Sequence, residues 1–403
     1  MINVAVLGYG TVGSGVVEII NTNNALISKR IGDVIKVKYV LDLREFEGDP
    51  VQEVLVHDYN IIKDDPEVDI VVETMGGLHP AYEFVKDALL AGKNVCTSNK
   101  ALVADFGPEL LQIAKDKKVN FLFEASVGGG IPIIRPLKTS LAPDEIEEIS
   151  GILNGTTNYI LTKMTDEGGE FAEALKDAQD KGYAERNPEA DIEGYDAARK
   201  IAILVSLAYG KTVSFEDVYT EGITNISDRD IVYAKALKKK IKIFGTGKKV
   251  GDKVSVRVWP VLIGKEHPLY NVDGVYNAIL VRGNMVDDVM FYGQGAGKLP
   301  TASAVVSDVI EAAKHLHINI NTVWSDEKLE LVPAKQMKAQ YFIRLNKKKD
   351  VAEEKVKKLF GDVTVVDAGF EDEYAFITGE ITEGTYREAS KDLDSVVNKI
   401  RLD

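Results

Sequence analysis

Five histidines are scattered along the chain, at His57, His79, His267, His315 and His317, and none sits in an arrangement that suggests catalysis. Acid–base chemistry therefore falls to lysines and carboxylates. Two lysines stand out. Lys100 follows Cys96-Thr97-Ser98-Asn99, just past the carboxyl end of a predicted strand, where open α/β sheets bind ligands. The bland reading is a surface lysine that opens the next helix. Lys200 closes the run that begins at Gly182. Asp196 lies four residues before it, on the same face of a predicted helix. An exposed pair at that spacing contributes roughly 0.3–0.5 kcal/mol and nothing more. In a site, a lysine can do acid–base work instead, because neighbouring positive charge brings it into range for proton transfer. Glu185 and Asp191, in the loop before, can bind a cation or cap the helix.

A second constellation opens the chain. Gly8-Tyr9-Gly10-Thr11-Val12-Gly13 has the G-x-G-x-x-G spacing, follows the apolar run Val4–Leu7 and precedes a helical pattern. In that context the pattern is a dinucleotide turn. Gly8 makes the tight turn, Gly10 lets backbone approach a pyrophosphate, and Gly13 lets helix and strand pack closely. The helix N-terminus then supplies N–H groups and a dipole for the phosphates. The next predicted strand ends Leu41-Asp42-Leu43-Arg44. Asp42 suits the ribose hydroxyls of NAD, whereas Arg44 suits the 2′-phosphate of NADP. The reading leans to NAD and leaves NADP open.

The elements that must position these groups follow from periodicity. Over residues 1–132, short apolar runs (Val37–Leu41, Ile70–Val72, Asn94–Thr97, Val119–Phe123) alternate with helical stretches such as Ala81–Leu90 and Leu110–Lys117. This is the pattern of βαβ units on a parallel sheet, so the fold class is α/β with a Rossmann-type nucleotide domain. Residues 133–300 read as a mixed α+β domain, with strands at Ile146–Ile152, Val254–Ile263, Tyr276–Arg282 and Val289–Tyr292. A helix near 301–317 packs back on the nucleotide domain. Residues Asp326–Lys335 read as a charged linker. The segment 336–403 reads β-α-β-β-α-β, with helix over Tyr386–Ile400 and a last strand short or missing.

Composition bounds the rest. The 403 residues carry 49 Lys plus Arg against 63 Asp plus Glu, a net charge of −14. A chain so acidic repels phosphate, so nucleic acid and anionic membranes are poor partners. The basic runs Lys238–Lys240 and Lys347–Lys349 read as solvated helix face or turn. A lone cysteine, Cys96, excludes an intrachain disulfide and a Cys-based zinc site, and reads as a small buried apolar residue. The N-terminus lacks a signal-peptide pattern and no apolar run is long enough to span a bilayer, which predicts a cytoplasmic protein.

The motifs resemble those of the homoserine dehydrogenases. The likeness is carried by GYGTVGSGVV, ETMGG from Glu73, TSNKALVA from Thr97, FEASVGGGIPII from Phe123, GILNGTTNYIL from Gly151, the block from Gly182 to Lys200, and FYGQGAGKLPTASAVVSD from Phe291. It implies reversible hydride transfer between NAD(P)H and L-aspartate 4-semialdehyde, giving L-homoserine for threonine and methionine synthesis. By this resemblance Lys200 is the proton donor, and Lys100 is the second active-site lysine beside the nicotinamide, with Ser98 next to it. Glu185, Asp196 and Asp191 bind substrate, and Gly155 and Thr156 form a turn that faces it. Gly182, Gly295 and Gly297 close over the cofactor. Glu124, Val127, Gly129 and Ile131 form a sodium-type site built largely from carbonyls. The resemblance also implies a homodimer or larger assembly, no kinase segment before the nucleotide turn, and a C-terminal ACT-like regulatory domain. Many relatives have arginine where this chain has Leu41, which supports the lean to NAD. His79 takes no role.

Overall fold

Six parallel strands form the first sheet of the computed structural model, which describes all 403 residues. They are β1 (Ile2–Leu7), β2 (Ile35–Leu41), β3 (Leu55–Val56), β4 (Ile70–Glu73), β5 (Asn94–Thr97) and β6 (Phe121–Leu122), in the order β3-β2-β1-β4-β5-β6. Every pairing is parallel. That is the doubly wound order, whose carboxyl edge opens between β1 and β4 where the strand order reverses. The Val and Ile side chains of β1 and β4 are buried, as parallel strands covered on both faces require. The helix Thr11–Thr22 and the return helix Lys298–Lys314 close one face. They approach closely because Gly15 has no side chain: a Cβ there would lie 2.9 Å from Ala302 Cβ.

The chain divides into two units. The first comprises residues 1–145, 202–214 and 291–328; the second comprises 146–201, 215–290 and 329–403. The first unit also holds a two-stranded parallel pair, β8 (Lys211–Thr212) with β14 (Ser325–Lys328). The stretch read as a linker from Asp326 is therefore partly strand. The helix read from Leu110 begins ten residues earlier, at Lys100, and accommodates Pro108 inside it.

A mixed sheet organises the second unit. Its strands are β7 (Ile146–Ile152), β9 (Tyr219–Thr220), β10 (Lys240–Val250), β11 (Lys253–Ile263), β12 (Tyr276–Gly283), β13 (Asp287–Gln294), β15 (Lys338–Leu345), β16 (Thr364–Val366), β17 (Tyr374–Ile377), β18 (Ile381–Thr382) and β19 (Val396–Leu402). The path runs β13-β12-β7-β10-β11-β19-β15-β17-β16. The β10–β11 hairpin pairs without a break from Lys240↔Ile263 to Val250↔Lys253. Sequence analysis placed no strand over β10 and read its first lysine, in the run Lys238–Lys240, as solvated. Lys242 is instead buried, its ammonium held by Asp273, Val272 O and Asn158.

The tail follows β15, the helix Lys349–Phe360, β16, β17, the two-residue β18, the helix Glu383–Lys391 and β19. The last strand is complete, contrary to expectation, and the last helix ends at Lys391 rather than Ile400. Ser395, at φ +77°, turns the chain between them. β19 pairs antiparallel with β15 and parallel with β11, so the tail continues the sheet.

Candidate active site

The nucleotide turn is built at the carboxyl end of β1. Gly8 adopts φ +92°, and its N–H donates to Leu41 O at 2.8 Å. Thr74 Oγ1 donates to Leu7 O and Gly8 O, tying the turn to the end of β4. A Cβ on Gly13 would lie 1.9 Å from Gly8 O and 2.8 Å from Thr74 Oγ1, so only glycine fits. Gly10, the N-cap of the helix Thr11–Thr22, has nothing within 4 Å of a Cβ position, so its backbone faces open space. Thr11 is exposed, and Val12 packs against the core beneath. A packed Gly13 and an open Gly10 are the cradle a pyrophosphate needs.

Asp42 and Arg44 meet directly. Arg44 Nε and Nη2 each donate to the Asp42 carboxylate at 2.9 Å, and Tyr9 N–H donates to it at 2.8 Å. These hydrogen bonds and the guanidinium charge outweigh partial burial and hold the Asp42 carboxyl far below its ordinary range. The two residues set against each other as cofactor selectors thus form one bidentate pair.

Lys100 is the first residue of its helix, directly after Asn99, whose Oδ1 accepts from Leu102 N–H. Ser98 N–H donates to Glu73 O. Sequence analysis did not single out the Glu73 side chain. It is fully buried at the end of β4 and accepts from Thr97 Oγ1 at 2.6 Å and Met75 N–H at 2.8 Å. Burial pushes its carboxyl up from the ordinary glutamate value. Cys96 is likewise wholly buried, as expected, and burial pushes its thiol up.

The loop after β6 folds around two carboxylates. Glu124 accepts from the N–H groups of Ile133, Ile134 and Arg135 at 2.6–2.7 Å, capping the short helix Ile134–Lys138. Asp308, on the return helix, accepts from Glu124 N–H at 2.7 Å and from Arg135 Nη2 at 2.6 Å. Burial, then the charge of Glu124, pushes Asp308 up to about 7. Val127 lies in the turn of helix Ala125–Gly128, and Ile131 N–H donates to Gly128 O. Gly129 has φ +56°, and a Cβ there would lie 2.2 Å from Gly295 O. Gly297, at φ +120°, caps the return helix. No group of three or more His, Cys, Asp or Glu side chains is arranged to hold a metal ion.

In the second unit, β7 ends at Ile152 and the helix Gly155–Glu167 starts three residues later, capped by Asn154. Asn154 Oδ1 accepts from Thr157 N–H at 2.9 Å. Its Nδ2 donates to Asp191 at 2.7 Å and to Asp196 at 2.9 Å. Lys200 Nζ donates to Leu153 O at 2.8 Å and lies 2.9 Å from Asp196 Oδ2. The pair is not the exposed one of the bland reading: the side chains are 11% and 5% exposed. Asp191 is half-buried, and burial, then the charge of Asp196, pushes its carboxyl up. The structure thus gathers Asp191, Asp196 and Lys200 around Asn154. That asparagine was missed, although a helix-capping residue directly before Gly155 was a readable signal. Gly155 and Thr156, read as a turn, begin a thirteen-residue helix. Thr156 Oγ1 donates to Tyr183 O at 2.6 Å, fixing the loop that carries Gly182 (φ +74°) and Glu185. Glu185 is exposed and stands outside the cluster.

Comparison with known proteins decides the family. The family model described as "Homoserine dehydrogenase, NAD binding domain" matches residues 8–124, and the model described as "Homoserine dehydrogenase" matches residues 132–310. A homoserine dehydrogenase of Bacillus subtilis is 42% identical over 368 residues, covering 90% of this chain and 85% of that protein. The chain belongs to the homoserine dehydrogenase family. It is an NAD(P)-dependent oxidoreductase of that family. The homoserine dehydrogenase of Synechocystis is also 42% identical, over 98% of this chain and 96% of its own. The crystal structure of a homoserine dehydrogenase from Thiobacillus denitrificans superposes with a TM-score of 0.91 at 36% identity, covering 100% of this chain and 98% of that one. A hyperthermophilic archaeal homoserine dehydrogenase in complex with NADPH matches at a TM-score of 0.68 and 29% identity, over 80% of this chain and 99% of its own. The buried lysine–carboxylate cluster falls within residues 132–310, the part matched by the second of these family models.

Proposed function

We propose that this chain interconverts L-homoserine and L-aspartate 4-semialdehyde with Lys200 as the acid–base group. The observation that carries this is the buried Asp196–Lys200 pair, fixed by Leu153 O and Asn154. A nicotinamide cofactor held by the Gly8–Gly13 turn would supply the hydride chemistry. In the reducing direction Lys200 Nζ gives a proton to the aldehyde oxygen; in the oxidising direction it takes the proton of the hydroxyl. Asp196 holds Lys200 in place, so its gain is largely positional. Asp191, with Glu185 drawn in from its exposed loop, receives the substrate ammonium. Gly155 and Thr156, at a helix N-terminus, receive the substrate carboxylate. Lys100, beside Ser98, contributes positive charge to the same reaction.

The remaining assignments belong to the same proposal. The Gly8–Gly13 turn, Gly182, Gly295 and Gly297 enclose the cofactor. NAD is preferred, because a 2′-phosphate at Arg44 must compete with the Asp42 carboxylate that already engages it. Carbonyls of Glu124, Val127, Gly129 and Ile131 hold Na⁺. The protein works in the cytoplasm as a homodimer or larger assembly. Residues 1–132 with the return helix serve the nucleotide, 133–300 serve substrate and dimerisation, and 336–403 are an ACT-like regulatory domain. The order of the tail, β-α-β-β-α-β apart from the two-residue β18, supports that last reading. Threonine is its expected effector, and activity unchanged by saturating threonine refutes it.

The decisive experiment follows nicotinamide reduction with L-homoserine, supplying NAD and NADP in parallel. Lys200→Ala should lower kcat by about 10²–10⁴-fold with KM little changed. Near-normal kcat in the variant removes Lys200 from the mechanism, and no turnover with either cofactor in folded wild-type protein refutes the reaction.

A further inference from the structure

A buried charge cluster with no assigned role lies in the second unit. Arg401, on β19, is 1% exposed. Its guanidinium makes a bidentate pair with Glu221, whose Oε1 lies 2.7 Å from Nη2, and donates to Glu383 Oε2 at 2.8 Å. Lys399 adds contacts of 2.9 Å to Glu383 and 3.1 Å to Glu221. The ring of Trp259 lies 4.5 Å from the guanidinium carbon. Glu383 and Arg401 belong to the tail. Glu221 does not: it directly follows β9.

What Glu221 is attached to gives the cluster its meaning. The next residue, Gly222, packs on the loop that carries Asp191: a Cβ there would lie 2.2 Å from Ile192 O and 2.5 Å from Glu193 Cα. Ile223 N–H donates to Ile192 O at 2.8 Å. Gly194, at φ +84°, lies against Thr220, with 3.1 Å from its Cβ position to Thr220 Cγ2, and its N–H donates to Asp191 O. Asp196 and Lys200 follow within the next turn and a half of helix. The segment from Thr220 to Ile223 is therefore a clamp on the backbone of residues 191–194, and Glu221 N–H, bonded to Val258 O, fixes the clamp to β11.

We infer that Arg401 is a positioning residue: through Glu221 it holds the 220–223 clamp against the Asp191–Gly194 loop, and so sets the geometry of Asp191. Both ends of the argument are rigid pieces. A bidentate buried guanidinium–carboxylate pair tolerates little displacement. A glycine packed against a carbonyl, with a hydrogen bond beside it, passes any shift to its neighbour. The tail thereby completes the substrate site without touching substrate. This rests on the proposed function only in calling 191–200 a substrate site; the mechanical link does not depend on the reaction.

The test uses the full chain with Glu221→Gln, Arg401→Met and Arg401→Lys, and the double variant of the first two. Backbone hydrogen exchange is read first. Amides of residues 191–196 and Ile223 should exchange on the order of tenfold faster in Glu221→Gln, while β1, β4 and the helix Thr11–Thr22 keep wild-type protection. Homoserine KM should rise on the order of tenfold, with NAD dissociation constant and kcat within about threefold of wild type. Arg401→Lys should recover part of what Arg401→Met loses. The double variant should be no worse than the poorer single one, because both remove the same link. If Arg401→Met fails to fold, Glu221→Gln carries the test alone. Unchanged protection at 191–196 in folded Glu221→Gln overturns the inference. So does unchanged KM in an active enzyme. If wild type does not turn over homoserine, the exchange measurement still decides it.

Discussion

Asp191 is pulled in two directions, and its balance has a measurable sign. Burial and the charge of Asp196 push its carboxyl up, while Asn154 and Lys200 pull it down; the net shift is upward. A carboxyl that binds its proton more tightly in the folded state contributes stability at low pH that is lost as pH rises above the unfolded value, ~3.9. Removing the charge should therefore stabilise the neutral protein while harming function, as strained sites do. Asp191→Asn keeps an acceptor for Asn154 and is expected to gain about 0.5–1 kcal/mol at pH 7. The gain should shrink towards pH 4, and homoserine KM should rise. Thermal melts at the two pH values check this, and an unchanged or lower Tm at pH 7 contradicts it. Spacing paired Asp196 with Lys200, and the resemblance to the homoserine dehydrogenases joined Asp191 to them. Their burial was invisible to spacing, because i, i+4 pairs look the same whether solvated or packed beneath a capping asparagine.

The strand–turn–helix unit at the N-terminus separates folding from binding. Gly13 has no room for a methyl group, whereas Gly10 has nothing near it. Gly13→Ala should damage the first unit itself, costing several kcal/mol through overpacking against backbone. Gly10→Ala should leave Tm nearly unchanged and weaken nucleotide binding by at least about tenfold, because the added methyl stands where the pyrophosphate approaches. Calorimetric melts and nucleotide titration of both variants separate the two effects. Equal losses of Tm would contradict this difference. The β9–β19 cluster makes a prediction of opposite acid sense to Asp191. Burial alone would raise Glu221 and Glu383, but Arg401 and Lys399 outweigh it and hold both at about 2. Carboxyls held below their unfolded value, ~4.3, contribute stability that is present above that pH and lost as it falls towards 2. Stability followed by far-UV circular dichroism should drop steeply over that window in wild type and less steeply in Glu221→Gln. Parallel slopes would contradict the assignment.

At the scale of the molecule, the tail is built into a sheet rather than hung from it. β19 lies between β11 and β15, and its Arg401 and Leu402 pair with Val261 and Leu262. Ending the chain at Pro333 strips a strand from β11 and leaves Glu221 without its guanidinium. An exposed, apolar strand edge is an aggregation site, and a buried carboxylate without its partner costs about 3–5 kcal/mol. The truncated protein should be largely insoluble, and its soluble fraction should not bind homoserine; size-exclusion chromatography and titration check both. A soluble truncated protein with wild-type homoserine binding would show that the tail is independent.

The nucleotide domain was legible because its signals are local. A buried parallel strand, a glycine turn and an amphipathic helix each announce themselves within a dozen residues, and Gly8, Gly10 and Gly13 need no distant partner to be read. Ile146–Ile152 and Ala81–Leu90 were placed from periodicity alone for the same reason. What failed locally was charge. The burial of Lys242 was not legible because a lysine is almost never buried unless paired, and its partners Asp273 and Asn158 are far off in the chain. The last strand read as helix because alternation in Val396–Leu402 is weak until β15 and β11 flank it. The order of residues thus determined the nucleotide turn and, through the family resemblance of its motifs, the identity of the lysine–carboxylate set. Only tertiary structure decided that Lys200 is buried, that Asp42 and Arg44 share one pair, and that Arg401 reaches Glu221, because each depends on which distant backbone comes to lie beside it.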